Sequence, residues 1–252
     1  MLTADALIRD IVAAHPGSME VFEQSGIDFC CHGHQSLAEA CRQADIPPGE
    51  VLARLAALER SLPAEEMMHW ERASLRQLIG YIVHHHHEYT RRAVQATRAL
   101  LAQLNHEGAP PELAAIAHAF DRLAREMLFH IAKEEHGLFT RIERLEVVSR
   151  GETPPAPPMR AGEASTIRHM MEDHDAAGAL ITEIKRLTGG YVAPPGASAN
   201  LHLLYRELQE FERDLHRHVY LENNILFPRA LRLEEALREA SAAGATSERA
   251  AG

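Results

Sequence analysis

The placement of proline constrains this chain most. The thirteen prolines fall at 16, 47–48, 63, 110–111, 154–155, 157–158, 194–195 and 228. Proline lacks the backbone N–H and clashes with the preceding turn, so helix interiors exclude it. The proline-free spans 64–109, 112–153, 159–193 and 196–227 are therefore predicted helices. Their apolar residues recur at three- and four-residue spacing, without the alternation of a strand. In the second span Phe120, Leu123, Met127, His130, Glu134 and Leu138 share one face. In the fourth, Leu208, Phe211, Leu215, His218, Glu222 and Ile225 do the same.

Residues 105–111 and 188–195 are short, breaker-rich connections, and 149–158 is a stiffer Pro-rich spacer. Four long helices joined in this way predict an all-α chain built on an antiparallel, up-down four-helix bundle. Residues 1–62 read differently. Shorter helical pieces at 3–14, 17–25, 36–45 and 48–60 surround the loop Gly26-Ile-Asp-Phe-Cys-Cys-His-Gly33. The expected organisation is a small helical domain at 1–62, a bundle at 63–235 and a frayed tail at 236–252, with the boundary within Ser61–Met68.

Composition narrows the function classes. With 36 acidic against 26 basic residues, the formal charge of −10 argues against nucleic acid or anionic lipid as the main partner. No apolar run reaches the ~18 residues of a membrane helix, and the N-terminus lacks the pattern of a signal peptide. Three cysteines, two of them adjacent, make no disulfide framework and fit a reducing cytoplasm. Histidine is abundant, at 17 residues.

The chemistry lies in a duplication. His130-Ile-Ala-Lys-Glu134-Glu-His-Gly-Leu138-Phe139 has the spacing of His218-Val-Tyr-Leu-Glu222-Asn-Asn-Ile-Leu226-Phe227. In each copy a His and a Glu four apart lie on the buried face. A single such pair is usually a surface feature. Two matched copies on apolar stripes need partners or a metal, because buried titratable groups are otherwise costly. The preceding helices add His174, which is 44 residues before His218, and the run His84–His87. Repeat spacing points to His86, and the following acid (His87-Glu88 beside His174-Asp175) points to His87.

Four imidazoles and two carboxylates facing inward would form a dinuclear site for iron, manganese or zinc. Two bridging glutamates, two histidines per ion and a solvent-derived bridge give five ligands. An octahedral metal would keep one position open. The ferritin-type signature is Glu-x-x-His, so the order and spacing here disfavour that family. His69, His106, His118, His202 and His216 read as solvated or structural. Ser36 is a predicted N-cap just after Cys30 and Cys31, where thiols gain nucleophilicity. His32 and His34 could make the same loop metal-holding, and Cys41 reads as core.

The loop Asp28-Phe-Cys-Cys-His-Gly33 and the run His218-Val-Tyr-Leu-Glu-Asn-Asn-Ile-Leu-Phe-Pro-Arg-Ala230 together resemble the repair of iron centres (RIC) proteins, the ScdA/YtfE-type iron–sulfur cluster repair family. The resemblance spans residues 1–231. It implies a hemerythrin-like bundle and two non-haem iron ions in an oxo- and carboxylate-bridged centre. It also implies a cytoplasmic role in nitrosative or oxidative stress. The family pattern His-His-x-Tyr matches His86-His87-Glu88-Tyr89, which gives His87, His130, Glu134, His174, His218 and Glu222 as the implied ligands. Thr140 stands where the family often has proline. The implied function is repair of damaged iron–sulfur proteins by supplying iron. The pair Cys30 and Cys31 matches the family, and its expected role as redox or metal-transfer thiols is read from the loop itself. Nitric oxide reduction, or NO or O2 binding at the same centre, is the alternative. On this reading the small domain either docks on the bundle to exchange metal or dimerises the chain.

Overall fold

The computed structural model describes residues 2–58, 70, 72–105, 112–152 and 163–251. The expected boundary at Ser61–Met68, His69, His106 and most of the two Pro-rich connections at 105–111 and 149–158 lie outside them. The fold is all-α, and the described residues form no sheet. The chain divides into two compact units, Met1–Ser74 with Val219–Pro228 and Leu75–His218 with Arg229–Gly252.

In the first unit, α1 (Ile8–Ala14), α2 (Ser18–Gln24), α3 (Leu37–Gln43) and α4 (Pro48–Leu58) enclose a small apolar core. Ile8, Phe22, Phe29, Leu37, Cys41 and Val51 are all buried. The first helix starts at Ile8, where a start near residue 3 was expected. The reason is competition for the backbone. The N–H groups of Ile8 and Arg9 donate to Gln35 and Gly33, while Leu37 and Ala38 donate back to Ala6 and Ala4. This pairing, which includes a Leu7–Ser36 bridge, keeps the leading segment out of the helix, in a turn at Thr3–Ala6 followed by extended backbone at Leu7. Ser36 caps α3 as expected, its hydroxyl accepting the Glu39 N–H at 3.2 Å.

The second unit holds the bundle except for Val219–Pro228 of its last helix, which count with the first. Its helices are α5 (Leu75–Tyr81), α6 (Glu88–Leu104), α7 (Leu113–Lys133), α8 (Phe139–Ser149), α9 (Glu163–Leu187), α10 (Ala199–Tyr220) and α11 (Phe227–Ala251). The apolar stripes read from the sequence are buried throughout, from Phe120 and Leu123 on α7 to Leu208 and Phe211 on α10. Phe120 meets Phe211 edge-on at 5.7 Å, fastening α7 to α10. At the start of α5 the Glu146 carboxylate from α8 accepts the N–H groups of Leu75 (2.8 Å) and Arg76 (3.1 Å). A negative charge is thereby placed on the positive end of that helix.

Three of the long helices contain a turn of π-helix, at Ile82–His87, Glu134–Leu138 and Leu221–Leu226. At the close of each turn a backbone N–H reaches five residues back: Glu88 to Val83, Phe139 to Glu134 and Phe227 to Glu222. The last of these explains why the fourth helix runs on past Pro228 to Ala251 instead of stopping at 227. A π-turn already shifts the hydrogen-bond register, so a proline just after it interrupts little of the ladder. Thr140 follows the equivalent turn in the other copy, and there too the helix continues. The segment 236–251, where composition predicts fraying, lies within α11.

Candidate metal centre

The π-turns sit where the chemistry is. His87 ends the first, Glu134 opens the second and Glu222 lies in the third. A π-turn winds one extra residue into a helix, widening it locally and re-aiming its side chains. His130 and His218 lie one helical turn before the second and third, and His174 lies on α9. All six residues are buried, none more than 2% exposed.

Their donor atoms form two groups, His87–Glu134–His218–Glu222 and His130–Glu134–His174–Glu222, each within 4.8 Å throughout. The two carboxylates belong to both groups. The imidazoles pair through their Nε2 atoms, His87 with His218 at 3.1 Å and His130 with His174 at 3.0 Å. Between the pairs, Glu134 places Oε2 3.4 Å from His87 Nε2 and Oε1 3.2 Å from His130 Nε2. One carboxylate thus offers an oxygen to each imidazole pair.

The Nδ1 atoms of His87 and His130 are held by acids that sequence reasoning missed. His87 Nδ1 lies 2.7 Å from Glu135 Oε1, and Arg91 grips Glu135 with contacts of 2.8 Å to each oxygen. His130 Nδ1 lies 3.1 Å from Asp173 Oδ2, and Lys133 also bonds Asp173. Burial alone would raise both carboxyls. Hydrogen bonds from Arg91 and His87 outweigh it at Glu135, and those from Lys133 and His130 do so at Asp173, so each stays below the usual carboxylate range. An ionised acid at Nδ1 fixes the proton there and turns the Nε2 lone pair toward the cluster. Replacing Glu135 or Asp173 with Ala should therefore weaken metal binding about 10–100-fold, measured by competition with a chelator. The pairs could have been suspected only from acids adjacent to the ligating positions, since Asp173 reaches His130 from another helix.

The run of four histidines is split by the fold. His87 joins the cluster. His86 does not: its Nδ1 bonds Asp214 at 2.9 Å and its ring stacks on His218 at 5.7 Å. His85 stacks on Tyr81 at 4.3 Å, and His84 pairs with Glu88 at 3.4 Å on the surface. His118 and His202 are exposed and His216 is half-buried.

The donor set fits metal. Two carboxylates buried among imidazoles concentrate negative charge away from water, which is costly without compensating cations. Imidazole nitrogen with carboxylate oxygen suits iron, manganese or zinc, and no thiol reaches the cluster.

Away from the bundle, Cys30 and Cys31 share the loop between α2 and α3 with Asp28, and their donor atoms also lie within 4.8 Å of one another. Cys41 is buried in the core of the first unit, as expected. No helix among the described residues is long and apolar enough to cross a membrane.

Two family models match this chain. Residues 4–59 match the ScdA_N domain, described as a domain of unknown function (DUF542). Residues 78–230 match the hemerythrin HHE cation-binding domain. The iron–sulfur cluster repair protein YtfE of Pectobacterium atrosepticum is 31% identical over 238 residues, covering 93% of this chain and 100% of that protein. The protein of the same name from Yersinia pseudotuberculosis is 30% identical over 226 residues, covering 89% of this chain and 96% of its own. The shared domain order, the cation-binding bundle and these identities agree, and the chain belongs to the YtfE-type iron–sulfur cluster repair family, with an ScdA_N domain followed by a hemerythrin HHE domain.

Proposed function

We propose that His87, His130, Glu134, His174, His218 and Glu222 hold two iron ions, and that the protein repairs damaged iron–sulfur clusters by giving up that iron. The observation that carries this reading is the sharing of Glu134 and Glu222 between two otherwise separate histidine pairs. Shared carboxylates favour two ions held together over two independent sites. Repair, and not nitric oxide turnover, is what the names of the relatives point to.

Bound iron supplies exchangeable, redox-active ions. The chain supplies everything else. Glu135 and Asp173 keep the Nδ1 protons of His87 and His130 in place, so that both rings present Nε2 without reorganising. Burial keeps bulk water from competing with the ligands. The centre contains no thiolate, and mixed imidazole and carboxylate donors are exchangeable ligands for iron. Protonation of the two shared carboxylates would loosen both ions together. The proposed setting is the cytoplasm under nitrosative or oxidative stress, with damaged iron–sulfur proteins as partners and NO or O2 as small ligands.

The test is reactivation of an apo iron–sulfur enzyme under anaerobic conditions. Iron-loaded protein should restore its activity, and the Glu134→Ala, Glu222→Ala double variant should not. Equal recovery with the two proteins would sink the proposal.

A further inference from the structure

We propose a second metal site, formed by Asp28, Cys30 and Cys31, that takes one thiophilic divalent cation such as ferrous iron in an open, exchangeable position. The Sγ atoms lie 3.8 Å apart, so the two thiols are not a disulfide. Two sulfurs bound tetrahedrally at ~2.3 Å to one ion would themselves be about 3.8 Å apart. Asp28 Oδ1 lies 3.3 Å from Cys30 Sγ. An oxygen at ~2.1 Å and a sulfur at ~2.3 Å on the same ion would be separated by about 3.6 Å. The three donors thus already stand near the spacing that a metal would impose.

The loop is built to keep them there. Asp28 Oδ1 accepts the backbone N–H groups of Cys30 (3.0 Å) and Cys31 (2.8 Å), while Oδ2 pairs with His32 Nδ1 at 2.7 Å. From below, Asn224 Nδ2 donates to the Cys30 carbonyl at 2.8 Å, and Asn223 Nδ2 approaches it at 3.5 Å. Gly33 packs so closely that a Cβ there would press on Asn224 Oδ1 and lie 2.9 Å from the Phe29 carbonyl. Asn223 and Asn224 directly follow Glu222 in the same π-turn. The thiol loop is therefore seated on the turn that carries one of the shared carboxylates.

Three donors leave the fourth place of a tetrahedral ion free. Cys30 is buried, but Cys31 is half-exposed and the Asp28 side chain is 43% exposed, so that place faces solvent. Structural zinc sites are closed by four protein ligands, whereas a site with three keeps a place where an incoming ligand can reach the ion. Each thiol loses its proton to solvent as the metal binds. A role in passing iron outward from the bundle rests on the iron-supply reading above. The metal site itself does not.

The experiment is an anaerobic Co(II) titration of the metal-free full chain, followed in the near-ultraviolet, counting equivalents beyond those that the sulfur-free bundle takes up. Sulfur-to-cobalt charge transfer reports thiolate ligation alone, and the bundle ligands contain no sulfur, so this signal is independent of what the bundle holds. One additional equivalent with a thiolate band is expected. The band should fall by half in Cys30→Ser or Cys31→Ser and vanish in the double variant, with Cys41→Ser unchanged. Asp28→Asn keeps the Oδ1 acceptor that shapes the loop, and should weaken binding about tenfold while the band survives saturation. That variant also serves if serine at position 30 lowers the helix content. No thiolate band in the unaltered chain, or a band that persists without both cysteines, would overturn the proposal.

Discussion

Glu134→Ala should empty the bundle of both metal ions, not one. Oε2 of Glu134 faces the His87 pair and Oε1 the His130 pair, so one truncation removes a donor from both groups. His85→Ala, in the same π-turn as His87 but stacked outside the cluster on Tyr81, should keep full metal content. The stability effects have opposite signs in the two states. Without metal, Glu134 is a fully buried carboxylate beside Glu222, and its removal should stabilise the chain by about 1–3 kcal/mol. With ferrous iron in excess, the unaltered chain gains stability by mass action and the variant does not. Thermal melting with and without iron, alongside metal analysis, checks both halves. Retention of one ion per chain would mean that the two groups are independent.

Phe120→Ala should destabilise the bundle by about 3–5 kcal/mol. Phe120 is fully buried and packs edge-on against Phe211. The loss should lower the melting temperature by about 6–20 °C, since each kcal/mol is worth ~2–4 °C at this chain length. Phe129→Ala is the control. Phe129 sits beside His130 in sequence but is 68% exposed, with Lys133 Nζ 5.1 Å from its ring centre. Its truncation should change stability by no more than about 0.5 kcal/mol. Equal losses at the two positions, followed by circular dichroism, would contradict the assignment of the core face.

The difference between these two phenylalanines was legible in the sequence, because helical periodicity puts Phe120 on the stripe with Leu123 and Met127 and leaves Phe129 off it. The same periodicity places His130, Glu134, His218 and Glu222 inward. What it could not show was the π-turns. They lie inside spans whose apolar spacing still reads as an ordinary helix, and each adds a residue to the winding. The turn at Ile82–His87 shows the consequence. Counting 44 residues between repeats points to His86, but the extra residue moves the register by one and brings His87 to the cluster. His86 turns to Asp214 instead. The acids behind the imidazoles were hidden for a different reason: Glu135 and Asp173 act across helices, and no local spacing marks a contact of that kind. The late start of α1 at Ile8 has a similar cause, since its backbone partners lie near residue 35.

Iron content and the near-ultraviolet spectrum of the purified chain, before and after dithionite, test the central claim most directly. With two donor groups sharing two carboxylates, two irons per chain are predicted, with oxo-bridge charge-transfer bands that bleach on reduction. Zinc in their place, or no metal after anaerobic handling, would contradict the account.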